Sequence, residues 1–207
     1  MSNKIKKPTS NIQQAFWIAL ASLITFSFGI LSAAVLSRYL SKIDYGTYKQ
    51  VLYIYSTLLI VFTLGLPKAY SFFLPRIENN HAKHVIKKIT NIFFVLGAIF
   101  SLSLYLFSGV IADLLKNDQL ELAIKIFSPV PLFMLPTMGI ESIFSCYRKT
   151  QLAAIYTLST RVLMLLCMVL PVIIFKTTYI GAIIGFTVAS FFTFLIALYL
   201  KYLPVKE

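Results

Sequence analysis

Six stretches of this chain are long and apolar enough to cross a lipid bilayer, and this feature limits the fold more than any other. A spanning helix needs about 20 mostly apolar residues. Membrane β-strands are shorter, at about 9–11 residues, and backbone groups in lipid must be satisfied internally. The sequence therefore predicts an all-α membrane protein with six transmembrane helices. They cover residues 15–37, 50–66, 89–112, 126–147, 152–175 and 177–200.

The composition is typical of an integral membrane protein. Hydrophobic residues make up 58% of the sequence and charged residues 13%, whereas soluble domains carry about 25% charged residues. The first apolar run has 23 residues, and a signal-peptide core has about 7–15, so we expect a retained helix. The predicted organisation is a single bundle over residues 15–200. Residues 1–14 form a cytoplasmic N-terminus and residues 201–207 a cytoplasmic tail, with no soluble domain.

The charge distribution predicts the topology. The net charge is +12, but the basic residues lie between apolar runs, which favours headgroup contact over nucleic-acid binding. With a cytoplasmic N-terminus, 12 Lys and Arg residues lie inside and six outside, so the positive-inside rule predicts both termini in the cytoplasm. The 12 are Lys4, Lys6, Lys7, Lys68, Arg76, Lys83, Lys87, Lys88, Arg148, Lys149, Lys201 and Lys206.

Small and hydroxyl-bearing residues mark helix faces that meet other helices or water. The first segment carries them in one stripe at helical spacing: Ser22, Thr25, Gly29, Ser32 and Ala33. The sixth segment carries a second set, Gly181, Gly185 and Ala189, spaced four apart. Such spacing allows close helix packing, which is our interpretation of the sixth segment.

Three prolines predict that the fourth segment is kinked or broken in its outer half. Pro129, Pro131 and Pro136 each remove an amide donor and crowd the preceding turn. Broken helices line many transporter sites, although kinks also occur in ordinary membrane packing. Both interpretations remain open from the sequence.

Arg161 is the most informative charge. Only 14 apolar residues follow it in the fifth segment, so the spanning helix must begin earlier and carry Arg161 into the hydrocarbon. Such a charge costs about 2.5–3.5 kcal/mol on insertion scales. Three interpretations compete: Arg161 snorkels to headgroups, pairs with Glu141 of the fourth segment, or lines a substrate cavity. Our hypothesis is that it attracts an anionic substrate group.

Signals for catalysis or cofactor binding are weak throughout. His81 and His84 lie three residues apart, without the additional ligands that a metal site needs. Cys146 and Cys167 fall inside apolar runs, where free thiols act as small hydrophobes. Glu141 is the single intramembrane carboxylate, and we find no catalytic group of residues. We therefore expect no enzymatic activity, no cofactor and no bound metal.

Two stretches resemble polysaccharide flippases of the O-antigen type. The first runs from Leu36 to Tyr48, through Arg38 and the motif Asp44-Tyr45-Gly46. Taken alone, this motif is typical of a turn before a helix, with Asp44 as a cap. The second stretch reads GLPKAYSFFLPR over residues 65–76. These flippases belong to the superfamily of multidrug, oligosaccharidyl-lipid and polysaccharide exporters.

The resemblance implies a fold, an activity and partners. It implies the N-terminal bundle of a MATE-like transporter, in which two six-helix bundles enclose a cavity. The substrate would be a polyprenyl-pyrophosphate-linked oligosaccharide, flipped across the bacterial inner membrane. A second bundle would come from a C-terminal half, from another copy or from a separate chain. Arg38 lies in the matching turn, as an outer contact or a structural cap.

Three alternatives remain open. A cation-coupled multidrug exporter of the same superfamily would need a carboxylate in its lumen, and Glu141 is the candidate for that role. A membrane-embedded polysaccharide polymerase or glycosyltransferase would normally display a long polar loop, but the longest predicted outer loop covers only residues 113–125. A truncated membrane protein that does not transport is the third alternative.

Overall fold

The computed structural model describes residues 11–77 and 79–203, and their secondary structure is helical. The α-helices are α1 (Asn11–Tyr39), α2 (Lys42–Thr63), α3 (Ala69–Phe73), α4 (Asn79–Leu114), α5 (Gln119–Phe127), α6 (Val130–Met134), α7 (Ile140–Cys146), α8 (Thr150–Ile174) and α9 (Tyr179–Lys201). Three 3₁₀ turns cover Leu66–Lys68, Leu74–Arg76 and Leu135–Thr137.

The prediction of an all-α membrane protein is confirmed. Five helical stretches are long and apolar enough to span: Ile12–Tyr39, His81–Leu114, Gln119–Cys146, Thr150–Ile174 and Tyr179–Lys201. A sixth span results if α2 and the following segment Leu66–Arg76 cross together, with a bend of 54° between them. Lys4, Lys6, Lys7 and Lys206, used to predict the topology, lie outside the described residues.

The first helical turn of α2 corrects one prediction. Ser41 is the N-cap, and its Oγ accepts a hydrogen bond of 3.1 Å from the amide of Asp44. Asp44 and Gly46 therefore lie inside the helix, and they do not form the predicted turn. The serine precedes them and satisfies a free amide of the first turn, so α2 begins at Lys42, eight residues before the predicted start at residue 50.

The segment predicted as a loop over residues 67–88 is mostly helical. Leu64 and Gly65 adopt left-handed backbone angles, with φ of 42° and 76°, and this conformation ends α2. Beyond the bend, α4 already begins at Asn79 because Ala82 and Ile86 are buried one turn apart while Lys83 is exposed. This amphipathic pattern extends the helix about ten residues into the basic region.

The predicted break in the fourth span is confirmed. Ser128 and Pro129 separate α5 from α6, and the 3₁₀ turn Leu135–Thr137 with Gly139 separates α6 from α7. Gly139 has a φ of 78°, a left-handed conformation that glycine adopts without strain. The span starts earlier than predicted, because α5 begins at Gln119 and uses part of the expected outer loop.

The helices pack around an aromatic core and leave α1 at the periphery. Phe100 stacks on Phe62 with ring centroids 4.4 Å apart, and Tyr55 contacts both Phe100 and Phe127. The helix α8 packs against α9 on one side and against α1 on the other. None of the most apolar part of α1 is buried. A cavity lies between this peripheral helix and α8.

Candidate functional site

A cavity of about 560 Å³, with both polar and apolar lining residues, lies between α1, α7 and α8, and it is the candidate functional site. Each helix contributes one face at helical spacing, and α3 contributes Ser71. The lining comprises Trp17, Ile18, Ala21, Ser22, Thr25, Phe26, Ser71, Glu141, Ser142, Ser145, Thr150, Ala153, Ala154, Thr157 and Arg161. The volume falls within the range of small-molecule sites, which is about 300–1,000 Å³.

The α1 wall comes from the stripe predicted in the sequence. Ser22 and Thr25 line the larger cavity, and Thr25, Gly29 and Ser32 line a smaller one farther along the helix. The hydroxyl of Ser22 donates to the carbonyl of Ile18 in its own helix at 3.0 Å. Its oxygen can still accept a hydrogen bond from a ligand. The stripe thus faces a cavity, one of the two roles expected for such residues in a membrane.

Arg161 lies on the α8 wall, where the two cavities meet. It lines both the larger cavity and the smaller one of about 140 Å³. Among the described residues its guanidinium forms no hydrogen bond and no ion pair. Because a guanidinium offers five donors in a planar fork, this side chain is free to bind a carboxylate or phosphate group.

Glu141 lines the same cavity from α7, but it does not form the ion pair with Arg161 that the sequence left open. Its Oε1 accepts a hydrogen bond of 3.0 Å from the hydroxyl of Thr157 on α8. Thr157 is buried and the carboxyl group of Glu141 remains exposed to the cavity. The cavity therefore presents one cation and one anion on separate walls.

The smaller cavity is mostly apolar. Tyr48 and Leu52 of α2, Met164 and Met168 of α8, and Phe186 of α9 form most of its wall. The hydroxyl of Tyr48 contacts the sulfur of Met168 at 3.3 Å. Polarity therefore falls along α8 from the hydroxyl-rich region near Thr150 to the methionines beyond Arg161.

The structure does not bring Arg38 to this site. Arg38 is exposed in the last turn of α1, at the opposite end of that helix from Trp17, and it lines neither cavity. Its charge is favourable there because cations stabilise the negative end of a helix dipole. An outer contact for Arg38 stays a prediction.

The remaining candidate residues lie apart from the cavity or do not converge on it. His81 and His84 are exposed in the first turns of α4, and no group of metal-ligating residues forms among the described residues. Cys146 and Cys167 are free thiols of intermediate exposure. The sequence reasoning missed Thr157, Ser142 and Ser145. Thr157 lies four residues before Arg161 and Ser145 four residues after Glu141, and this helical spacing was the available signal; Ser142 had none.

Lys201 corrects the predicted tail. Counted as a cytoplasmic topology residue, it is in fact 0% exposed at the end of α9. Its ammonium contacts α3, α4 and the 3₁₀ turn Leu135–Thr137. These partners lie far away in the sequence, so the local charge pattern could not indicate the burial.

These helices and this cavity define an all-α, multi-pass membrane protein with a polar site between helices. The chain belongs to the polysaccharide biosynthesis protein family, whose pattern it matches over residues 12–204. Nothing among curated proteins or solved structures matches the chain. Family membership gives a role in polysaccharide biosynthesis, consistent with the resemblance in the helix α1–α2 region.

Proposed function

We propose that this chain flips a lipid-linked oligosaccharide precursor across the bacterial cytoplasmic membrane. In this proposal the larger cavity holds the anionic linkage and the first sugars, and the polyprenyl tail stays in the bilayer. The movement involves no covalent chemistry, so the protein is not an enzyme. Membership of the polysaccharide biosynthesis protein family supports a lipid-linked sugar as the class of substrate.

The free guanidinium of Arg161 carries the proposal. Placing an arginine within a spanning segment costs about 2.5–3.5 kcal/mol, and such residues mark substrate pathways. Here Arg161 has no protein partner among the described residues, so the charge is not used to hold the bundle together. A pyrophosphate linkage would supply the bidentate partner that the guanidinium lacks.

The rest of the cavity wall is suited to sugars. Ser22, Ser142 and Ser145 offer hydroxyl groups on two facing helices, and Trp17 offers an aromatic face. Hydroxyl groups both donate and accept, so they can match sugar hydroxyls in several orientations. The side of α1 that faces away from the bundle is exposed, which leaves room for a lipid tail to enter beside it.

We further propose a MATE-like arrangement in which this bundle faces a second one. Alternating access needs two bodies that rock about a shared site. A C-terminal half, another copy or a separate chain could supply the second body. The position of α1 at the periphery, with the cavity behind it, supports an interface on that side.

The test is binding and flipping in a defined membrane. The full chain would be reconstituted in nanodiscs, and the affinity for a fluorescent polyprenyl-pyrophosphate-linked glycan would be measured. Losing a hydrogen-bonded charge costs about 2 kcal/mol, so Arg161→Gln should weaken binding about thirtyfold. Arg76→Gln is the matched control and should leave the affinity unchanged, because Arg76 is exposed and lines neither cavity.

Flipping is measured in proteoliposomes as the loss of outer-leaflet glycan fluorescence. The proposal expects the chain, assembled with its second bundle, to flip the glycan, and Arg161→Gln to flip it more slowly. It is abandoned if the unaltered chain binds no polyprenyl-linked glycan, if the two-bundle assembly flips none, or if Arg161→Gln binds and flips normally at equal protein levels.

Glu141 supports a second candidate, a cation-coupled multidrug exporter. Its carboxyl group is exposed in the same cavity, as a proton or sodium carrier would need to be. This candidate predicts that cationic dyes leave proteoliposomes in response to an imposed proton or sodium gradient, and that Glu141→Gln stops the efflux. Dye movement without any gradient dependence would exclude it.

A further inference from the structure

The buried ammonium of Lys201 joins four segments at one end of the bundle. Its Nζ donates to the carbonyl of Pro136 at 2.6 Å, to the hydroxyl of Tyr70 at 3.0 Å and to the hydroxyl of Thr90 at 3.4 Å. The same atom lies 4.8 Å from the ring centroid of Tyr70 and 6.0 Å from that of Phe93. Three donors therefore meet three acceptors between two aromatic faces.

This cluster is held by long-range contacts alone. Tyr70 belongs to α3, Thr90 to α4 and Pro136 to the 3₁₀ turn after α6. Tyr70 and Thr90 also bond each other at 2.9 Å. No carboxylate pairs with Lys201 among the described residues, so neutral oxygens and ring faces solvate the ammonium. Removing the donors would leave the buried carbonyl of Pro136 without this partner, and Tyr70 and Thr90 would be bonded only to each other. The hydrogen-bonded link between α3 and the 3₁₀ turn would then be lost.

Two of those segments continue directly into the cavity wall. Tyr70 precedes Ser71, which lines the cavity from α3. The turn at Pro136 leads through Gly139 into α7, which carries Glu141 and Ser142.

The ring of Tyr70 also packs closely on Gly139, and a Cβ added to Gly139 would collide with the ring. Tyr70 thus contacts both Lys201 and Gly139, the residue that immediately precedes α7.

We propose that Lys201 is a positioning residue for the cavity. By holding Tyr70 and the carbonyl of Pro136, it fixes the distance between the α3 wall at Ser71 and the α7 wall at Ser142. It acts through these residues and does not touch the ligand. Its importance for binding rests on the proposed function, but its effect on the cavity can be measured without any substrate.

The experiment measures that distance directly. Ser71→Cys and Ser142→Cys would be spin-labelled in the full chain, with Cys146 and Cys167 replaced by alanine, and the distance distribution recorded by pulsed electron resonance in nanodiscs. Lys201→Met keeps the stem and removes the donors, so the distribution should shift or broaden. An unchanged distribution in a folded Lys201→Met protein overturns the proposal.

Thr193→Val is the matched control. Thr193 lies on the same helix, it is 2% exposed, and its hydroxyl has no partner. This near-isosteric change should leave the distance between the two labels unaltered. A shift of the same size in Thr193→Val would show that any change in the α9 core moves the walls, and it too would overturn the specific role of Lys201.

A second variant covers the case in which Lys201→Met does not fold. Tyr70→Phe keeps the ring against Gly139 and removes only the hydroxyl acceptor. Because it removes one acceptor of the Lys201 ammonium, it should still shift or broaden the distribution relative to the unaltered protein, and an unaltered distribution would overturn the proposal.

Glycan binding separates this proposal from the proposed function. Lys201→Met should weaken binding about tenfold, which is about 1.4 kcal/mol and matches the upper end of the net contribution of one hydrogen bond. If the distance shifts but no glycan binds to any protein, the positioning role stands and the flippase proposal fails. If the glycan binds and Lys201→Met changes neither the distance nor the affinity, the positioning role fails and the flippase proposal stands.

Discussion

The hydroxyl of Thr157 donates a 3.0 Å hydrogen bond to the carboxylate of Glu141, and this contact joins α8 to α7 beside the cavity. Thr157 lies one turn from Arg161 on α8, so the bond holds the carboxylate against the helix that carries Arg161, and yet the two charges form no ion pair among the described residues. Both charged groups are therefore available to a ligand in the larger cavity.

The first prediction concerns this contact. Thr157→Val removes the donor with little change in volume and frees Glu141 to approach Arg161. A hydrogen bond to a charged group contributes about 1.5–3 kcal/mol, so we expect a lower thermal midpoint in detergent and weaker binding of a pyrophosphate-linked glycan. Thr160→Val is the control, because the Thr160 hydroxyl bonds only carbonyls of its own helix, those of Tyr156 and Thr157. Equal effects of the two changes would contradict the role given to Thr157.

The second prediction concerns the charge of Glu141. Glu141→Gln removes an anion from a cavity proposed to hold another anion, so affinity for the pyrophosphate-linked glycan should rise. Two charges about 10 Å apart interact by about 1.7 kcal/mol at an effective dielectric constant near 20, and solvent screening reduces this value. We therefore expect an affinity gain of roughly fivefold, measured in nanodiscs at low salt. A loss of affinity would contradict this prediction and would show that the carboxylate contacts the glycan favourably.

The third prediction concerns the approach of α8 to α9. At Gly185 an added Cβ would collide with the carbonyl of Cys167 and lie 3.1 Å from the Cα of Met168. Gly185→Ala should therefore destabilise the bundle by about 1–3 kcal/mol, seen as a lower thermal midpoint or poor expression. Gly46→Ala is the matched control, since no atom lies within 4 Å of its added Cβ. Wild-type stability in Gly185→Ala would mean that the two helices are farther apart than described.

The fourth prediction concerns the broken span. The amide of Leu132, in the short helix α6, donates to the Ser101 hydroxyl on α4 at 3.0 Å. Ser101→Ala would leave this amide unpaired, at a cost of about 1–3 kcal/mol, and lower the thermal midpoint. Ser103→Ala should be close to neutral, because the Ser103 hydroxyl bonds the carbonyl of Ile99 in its own helix. If both changes proved neutral, another group would have to satisfy the Leu132 amide.

The sequence predicted the spans and the break for physical reasons that act locally. Long apolar runs must be helical in lipid, and prolines such as Pro131 cannot continue the hydrogen-bond ladder. Counting the apolar residues after Arg161 predicted that the fifth span begins before it, and Arg161 does lie inside α8. Its place beside a cavity agrees with the hydroxyl stripe of α1, which lies on the facing wall.

Features that depend on tertiary contacts were missed. Lys201 follows an apolar run and is therefore typical of a cytoplasmic anchor, but its oxygen partners come from residues 65 to 131 positions away. The start of α4 was missed because the positive charge of Lys83 and Lys87 obscured the buried face formed by Ala82 and Ile86. The positive charge alone did not distinguish a solvent-exposed loop from an amphipathic helix whose polar face is exposed to solvent.

The bare backbone at Gly185 also limits which side chains the helices accept near the cavities. Here α8 and α9 touch through main-chain atoms, so a side chain at position 185 would meet backbone that no rotamer change can move. Gly29 on α1 is different, because an added Cβ meets no atom within 4 Å and the residue lines the smaller cavity. An alanine introduced at position 29 would therefore narrow that cavity without forcing two helices apart.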